Sequence, residues 1–254
     1  MKEFLSFAEG LADASRALLV EAARRPHRGE RKPDGSPVTP IDRAVEARLR
    51  EMIGQAYPDH GIVGEEHGET NPGNGYVWVL DPIDGTLPFL AGFPVYGTLI
   101  ALLRGGVPVI GVIDLPATAE RWVGLTGAPT RRNREPVRAR PCEDLSQALL
   151  STSNIDFYGE HDRPAFDRLA AATRWTVYGG SCTAYAQIAS GRIDVGLDVG
   201  FDVYDYLALA PIIEGAGGII SDWQGAPLTL ASGDRILAAG DRRIHDAVLA
   251  LLAN

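Results

Sequence analysis

After Cys142 the chain alternates between two hydrophobic periods, and that alternation restricts the fold more than any other feature. LLSTS at 149–153 reads as a strand, 162–172 as a helix and TVYGG at 176–180 as a strand. A helix over 183–190, a strand over 193–197 and a helix over 204–215 follow. Strands and helices taken in turn build packed layers of sheet and helix, the α/β arrangement. The first half is organised differently. Phe4, Phe7, Ala8, Leu11, Ala14, Ala17 and Leu18 recur at helical spacing over 3–25, and Pro26 ends that helix. The stretch PHRGERKPDGSP, 26–37, reads as a loop. A second helix, 40–56, is announced by Thr39 as N-cap and Pro40 at the first helical position. Then come a short strand at Ile62–Val63, the triplet GEE, and a polar loop to Gly75. Strands are expected at 76–80, 96–103 and 107–114, the last two joined by RGG as a hairpin. Further strands and turns fill 120–140, where TRRNREPVRAR reads as a solvated basic face. We divide the chain near 141, into subdomains 1–140 and 141–254.

The 254 residues suffice for a substantial core. A net charge of −9 argues against general nucleic-acid binding, which needs basic patches against phosphates. Two cysteines, Cys142 and Cys182, form no CxxC pair, so reduced thiols and a cytoplasmic setting are expected. Glu3, Glu9, Asp13 and Arg16 interrupt the N-terminal segment, unlike the core of a signal peptide, and no run approaches a membrane span.

The chemistry is concentrated in WVLDPIDGTLPF, residues 78–89. Asp81 stands at the C-terminal end of an apolar strand, where open sheets place their sites. Pro82 stiffens the turn to Asp84. Gly85 permits unusual backbone angles or close ligand approach, and Thr86 can begin a helix whose free N–H groups attract an anion. Two hard oxygen ligands beside an anion cradle suit Mg²⁺-assisted phosphoryl chemistry. A lone DxxD is more often a turn cap, but other carboxylates stand at comparable places. Glu65 and Glu66 follow a short strand, and Asp205 opens an apolar segment after Asp198 and Asp202. Like charges gathered this way need solvent or a cation.

GEE, DPIDGT and YDYLALAPIIEGAGG, in this order and with SPVTPID upstream, resemble the signature motifs of the inositol monophosphatase family. The resemblance runs from about residue 30 to 225. RWVGLTG, CEDLSQALL, YDYLAL and EGAGGIISDWQG are most similar to its histidinol-phosphate phosphatase branch.

The resemblance implies an αβαβα sandwich and a Mg²⁺-dependent phosphomonoesterase with two or three ions. It implies metal ligation by Glu65, Asp81, Asp84, Asp205 and the Ile83 carbonyl. Glu65 would orient or deprotonate a water that attacks phosphorus in line, assisted by a Thr86–Asp42 pair. The Gly85 and Thr86 amides would hold phosphate oxygens. Gly180, Ser181 and Asp198 would contact the rest of a small phosphorylated metabolite. The loop carrying Lys32 matches a mobile segment that covers the site in relatives. A homodimer is implied as well. Glu66 is expected to be solvated, Asp202 a loop carboxylate, Asp194 and Asp222 turn or strand-end residues. His67 is left as a surface residue, since a hard cation does not favour imidazole.

Two motifs depart from the pattern. GGSCTAY carries Ser181 where histidinol-phosphate relatives often carry an acid, and Leu87 and Pro88 follow DGT in place of polar residues. Neither touches an implied ligand, but both bear on which ester is cleaved. Inositol 1-phosphate, another sugar phosphate and a nucleotide phosphate stand as alternatives. A non-catalytic binder of phosphate ligands on the same fold would be expected to lack a ligand. A dinucleotide-binding oxidoreductase would need GxGxxG after a strand, which does not occur, and there is no GxxxxGK[ST].

Overall fold

The computed structural model describes residues 1–70 and 74–253. Helices α1 (Lys2–Ala22) and α2 (Pro40–Ala56) form one outer layer. Between them a small hairpin pairs β1 (Glu30–Arg31) with β2 (Pro37–Val38), structure inside a stretch expected to be loop. The sequence hid it, because two-residue strands leave no period to read. The α2 boundaries match the expectation. Thr39 and Asp42 form a reciprocal capping box, with Pro40 inside the first turn.

An eight-stranded sheet comprises β3 (Gly61–Gly64), β4 (Gly68–Thr70), β5 (Tyr76–Asp84), β6 (Gly97–Arg104), β7 (Val107–Leu115), β8 (Glu120–Leu125), β9 (Arg131–Arg132) and β10 (Glu135–Pro136). Its order is β10-β9-β8-β7-β6-β5-β3-β4. Pairing is antiparallel except between β3 and β5, which run parallel and bring the ends of both strands to one edge of the fold. The sheet buries one face against α1 and α2 through Leu11, Leu49, Trp78, Leu80 and Ile100. Part of the polar loop before Gly75, residues 71–73, lies outside the described residues.

A short helix α3 (Thr86–Ala91) follows β5. The C-terminal part holds a five-stranded sheet of β11 (Leu149–Thr152), β12 (Trp175–Tyr178), β13 (Val195–Asp198), β14 (Ile219–Asp222) and β15 (Ile236–Ala239), ordered β12-β11-β13-β15-β14. Helices α4 (Arg163–Ala172) and α8 (Arg242–Leu252) cover its outer face through Phe166, Leu169, Ile244 and Val248. Between the sheets lie α5 (Ser181–Ala189), α6 (Val203–Tyr206) and α7 (Leu209–Gly215). Tyr185, Leu209 and Ile213 there share one core with Val79, Ile113 and Trp122 of the first sheet and Ile236 of the second. The layers are therefore αβαβα, as the resemblance implied. Their close approach explains two glycines: a Cβ on Gly111 or Gly124 would run into the backbone of Ala208 or Pro211.

The helix expected over 204–215 is divided into α6 and α7. Pro211 lacks the N–H that would bond back to residue 207, so the helix breaks at 207–208 and restarts at Leu209 with Pro211 in its first turn.

Candidate active site

The site forms where β3, β5 and the start of α6 end together. In β5 the ladder to β6 slips between Asp81 and Asp84, because Pro82 cannot donate; the freed Pro82 carbonyl accepts from Thr98. The slip turns both aspartates to one cavity. Gly85 follows at φ 85°, and a Cβ there would lie 2.8 Å from the Val95 carbonyl, so the turn requires glycine. Asp205 arrives from α6, 121 positions after Asp84 in the chain, where its carboxylate accepts from the Asp202 N–H at 2.7 Å. Asp81, Asp84 and Asp205 offer oxygens that all lie within 4.8 Å of one another.

Burial and mutual repulsion disfavour charge on this cluster. Burial, then Glu65, Asp84 and Asp205, push the Asp81 carboxyl well up. Burial and Asp84 do the same to Asp205, and burial raises Asp84 despite an N–H donated by Cys182. Asp81 is 1 % exposed, and its Oδ1 finds no hydrogen-bond partner. A buried carboxylate oxygen left unpaired is costly, and a cation is what this hard-oxygen donor set fits.

Glu65 lies beside them, its carboxyl pushed up to about 7 by burial, with Lys32 opposing. Lys32 reaches from the turn between β1 and β2 and places Nζ 2.7 Å from both Glu65 and Glu66. Glu66 is thus not solvated as expected: its side chain is 3 % exposed, because the ammonium compensates its burial. Asp42 sits fully buried on α2, and its carboxylate accepts from the Thr39 N–H and hydroxyl at 2.8 and 2.5 Å. The Thr86 hydroxyl lies 3.4 Å from Asp42 and 3.1 Å from the Ile83 carbonyl. The geometry therefore brings together Asp42, Glu65, Asp81, Ile83, Asp84, Gly85, Thr86 and Asp205.

The cavity beside this cluster measures about 340 Å³. Leu87, Pro88 and Ser181 line it, as do Asp34, Phe157, Phe201, Asp202 and Tyr204. Among the described residues lining it there is no Lys, Arg or His. Two expected contacts fall elsewhere. Asp198 is 1 % exposed and accepts four hydrogen bonds, from Thr152, the Ser153 N–H, the Ser153 hydroxyl and Tyr185. It supports the wall from behind, with its carboxyl raised to about 6 by burial. Gly180 packs against α5, where a Cβ would meet Ala184 at 2.6 Å. Asp194 stands at a strand end as expected, in the bend just before β13; it is buried, pairs with Arg140 and accepts from the Leu149 N–H. Asp202 lies in the loop before α6 as expected; it caps that helix and faces the cavity. Asp34 and the aromatic rings were missed, since nothing in their local spacing separates them from surface residues.

A fold and site of this kind define a metal-dependent phosphatase acting on small phosphorylated compounds. The chain belongs to the inositol monophosphatase family, whose model matches residues 1–254. It is 41% identical to the bifunctional phosphatase IMPL2, chloroplastic, of Arabidopsis thaliana, over 98% of this chain and 75% of that protein. It is 32% identical to the histidinol-phosphatase of Chlorobaculum parvum, over 87% of this chain and 85% of that one. Among solved structures, an inositol monophosphatase from Zymomonas mobilis superposes with a TM-score of 0.91 at 38% identity, covering 100% of this chain and 98% of its own. No helix among the described residues is long and apolar enough to cross a membrane.

Proposed function

We propose that the chain is a Mg²⁺-dependent phosphomonoesterase whose preferred substrate is the phosphate ester of a small cationic amino alcohol, L-histidinol phosphate. The observation that carries this reading is the lining of the cavity. Asp34 and Asp202 supply carboxylates and Phe157, Phe201 and Tyr204 supply rings, without a basic side chain among the described lining residues. An ammonium favours such carboxylates, and an imidazole can lie against aromatic faces. Ser181 then removes little, because the acidic partner absent there is present at Asp34 and Asp202. The relative named histidinol-phosphatase supports the same reading.

Asp81, Asp84, Asp205, Glu65 and the Ile83 carbonyl would hold the metal, for which two or three Mg²⁺ fit the donor set. Bound there, the cations would acidify water and neutralise charge on the departing oxygen. The chain's own groups do the rest. The Gly85 and Thr86 N–H groups at the start of α3 receive phosphate oxygens. Glu65, whose carboxyl faces the cavity, would orient the attacking water and accept its proton. The Thr86 hydroxyl, between Asp42 and the Ile83 carbonyl, can pass one on. The apolar side chains of Leu87, Pro88 and Phe157 line the cavity beside the place of the ester.

A second reading, inositol 1-phosphate, rests on the Zymomonas mobilis structure. The engagement of both Asp198 oxygens counts against it, because a polyol loses that acceptor. The proposal extends to a cytoplasmic homodimer. Free thiols at Cys142 and Cys182 suit the cytoplasm, and the edge strand β12 exposes Trp175, Val177 and Tyr178 to a second copy. The test is kcat/KM for L-histidinol phosphate, inositol 1-phosphate, fructose 1,6-bisphosphate and 3′-phosphoadenosine 5′-phosphate. We expect histidinol phosphate to lead by at least about 10-fold, the lower end of the discrimination a substrate pocket achieves. A lead for any other ester overturns the substrate.

A further inference from the structure

The hairpin joining β3 to β4 has a three-residue tip, Glu65–Glu66–His67, closed by the pairing of Gly64 with Gly68. Glu65 is the member of this tip assigned to the metal, so its aim depends on what fixes the tip. The Glu65 N–H bonds to the Leu80 carbonyl at 3.2 Å, which anchors only the first residue. The other two amides point at a side chain from another element. The Glu66 N–H donates to Glu46 Oε2 at 2.7 Å, and the His67 N–H donates to Glu46 Oε1 at 3.1 Å. The His67 ring places Nδ1 3.3 Å from the same Oε1.

Glu46 lies on α2, four residues after Asp42, and both point from the same helical face. It is fully buried between apolar neighbours at Val45 and Leu49. A carboxylate on such a stripe requires compensation. Arg50, one turn further, supplies it: its Nε donates to Oε1 at 2.6 Å, while its other nitrogens bond Thr70 and the Gly68 carbonyl on β4. The hairpin tip thus folds around an anion, as successive N–H groups do in anion-binding nests. A separate observation points to the same contact. A Cβ on Gly64 would lie 2.5 Å from Glu46 Cδ and 2.9 Å from Arg50 Nη2. The glycine is needed for the carboxylate to reach the tip.

We propose that Glu46 is a positioning residue for the metal site: its carboxylate fixes the 65–67 tip and thereby aims Glu65. One helix face then serves the reaction twice, through Asp42 at Thr86 and through Glu46 at Glu65. The inference rests on the assignment of Glu65 to the metal. Groups that orient ligands typically contribute 10–100-fold in metal affinity or activity.

The test compares wild type, Glu46→Gln and Gly64→Ala, with Glu65→Gln as reference. Mg²⁺ affinity is read by calorimetry on EDTA-stripped protein and by the Mg²⁺ midpoint of phosphate release, with circular dichroism as a folding check. Glu46→Gln keeps the shape but loses one acceptor; we expect its Mg²⁺ midpoint and dissociation constant to rise about 10-fold, with kcat at saturating Mg²⁺ within about 3-fold. Gly64→Ala should reproduce that pattern. Wild-type Mg²⁺ affinity in a folded Glu46→Gln protein, with only the melting temperature lowered, overturns the proposal. Should Glu46→Gln not fold, Arg50→Met decides, since it loosens the same carboxylate from outside; an unchanged midpoint there is equally fatal. If Glu65→Gln leaves Mg²⁺ binding unchanged, the metal assignment of Glu65 fails. If it weakens binding and Glu46→Gln does not, only the positioning role fails.

Discussion

Neutralising one member of the acidic cluster should stabilise the metal-free protein while abolishing its activity. Asp81→Asn is the informative change, because Asp81 is buried and its Oδ1 has no partner. Two full charges 4.8 Å apart repel by about 3 kcal/mol at an effective dielectric near 20. Protonation already relieves part of this, so we expect a gain of about 2 kcal/mol, or ~4–8 °C in melting temperature for a chain of this size. The pH dependence has a fixed sign. An acid whose folded pKa is raised contributes stability in full below its unfolded value and loses it as pH rises through the folded value. For Glu65 that window runs from the ordinary 4.5 to about 7. Metal-free wild type should therefore be more stable at pH 5 than at pH 8, and the advantage of Asp81→Asn should be largest at pH 8. The assay is scanning calorimetry in EDTA at both values, repeated with Mg²⁺. A lower melting temperature for Asp81→Asn in EDTA at pH 8 would refute the reasoning, because it would mean that the cluster is not repulsive.

Thr86→Val removes the hydroxyl between Asp42 and Ile83; kcat should fall by about 10²-fold, the lower range for a proton-transfer group, with the Mg²⁺ midpoint unchanged. A midpoint that moves with kcat would place Thr86 in metal binding instead. Asp198→Asn turns a fourfold acceptor partly into a donor facing Tyr185 and Ser153, and should lower stability by roughly 2–3 kcal/mol in thermal melts. KM should stay within about 3-fold for a group behind the wall, where loss of a direct substrate contact costs ~10-fold or more.

Much of this architecture could be read before any coordinates. Thr39 as cap and Pro40 in the first turn mark where α2 begins, and the helix runs to Ala56 as expected. The run 76–80 defines a buried strand, and Pro82 and Gly85 mark where it must turn. That Asp205 joins Asp81 and Asp84 was legible only through the family resemblance, since spacing along a chain says nothing about sites 121 positions apart. Asp198 shows the limit of carrying roles over by motif. Its donors come from β11 and α5, and their approach is set by packing rather than by local pattern. Glu46 did leave a signal that went unread: an acid between Val45 and Leu49 on an apolar stripe must find donors somewhere. Pro211 was another, marking the break between α6 and α7.

The most direct test of the account is phosphate release from L-histidinol phosphate by EDTA-stripped protein, titrated with Mg²⁺, for wild type and Asp84→Asn side by side. The account predicts no release in EDTA, full recovery with Mg²⁺ in wild type, and a rate at least about 10³-fold lower in Asp84→Asn at every Mg²⁺ concentration. Equal release with and without Mg²⁺, or an active Asp84→Asn protein, would contradict it.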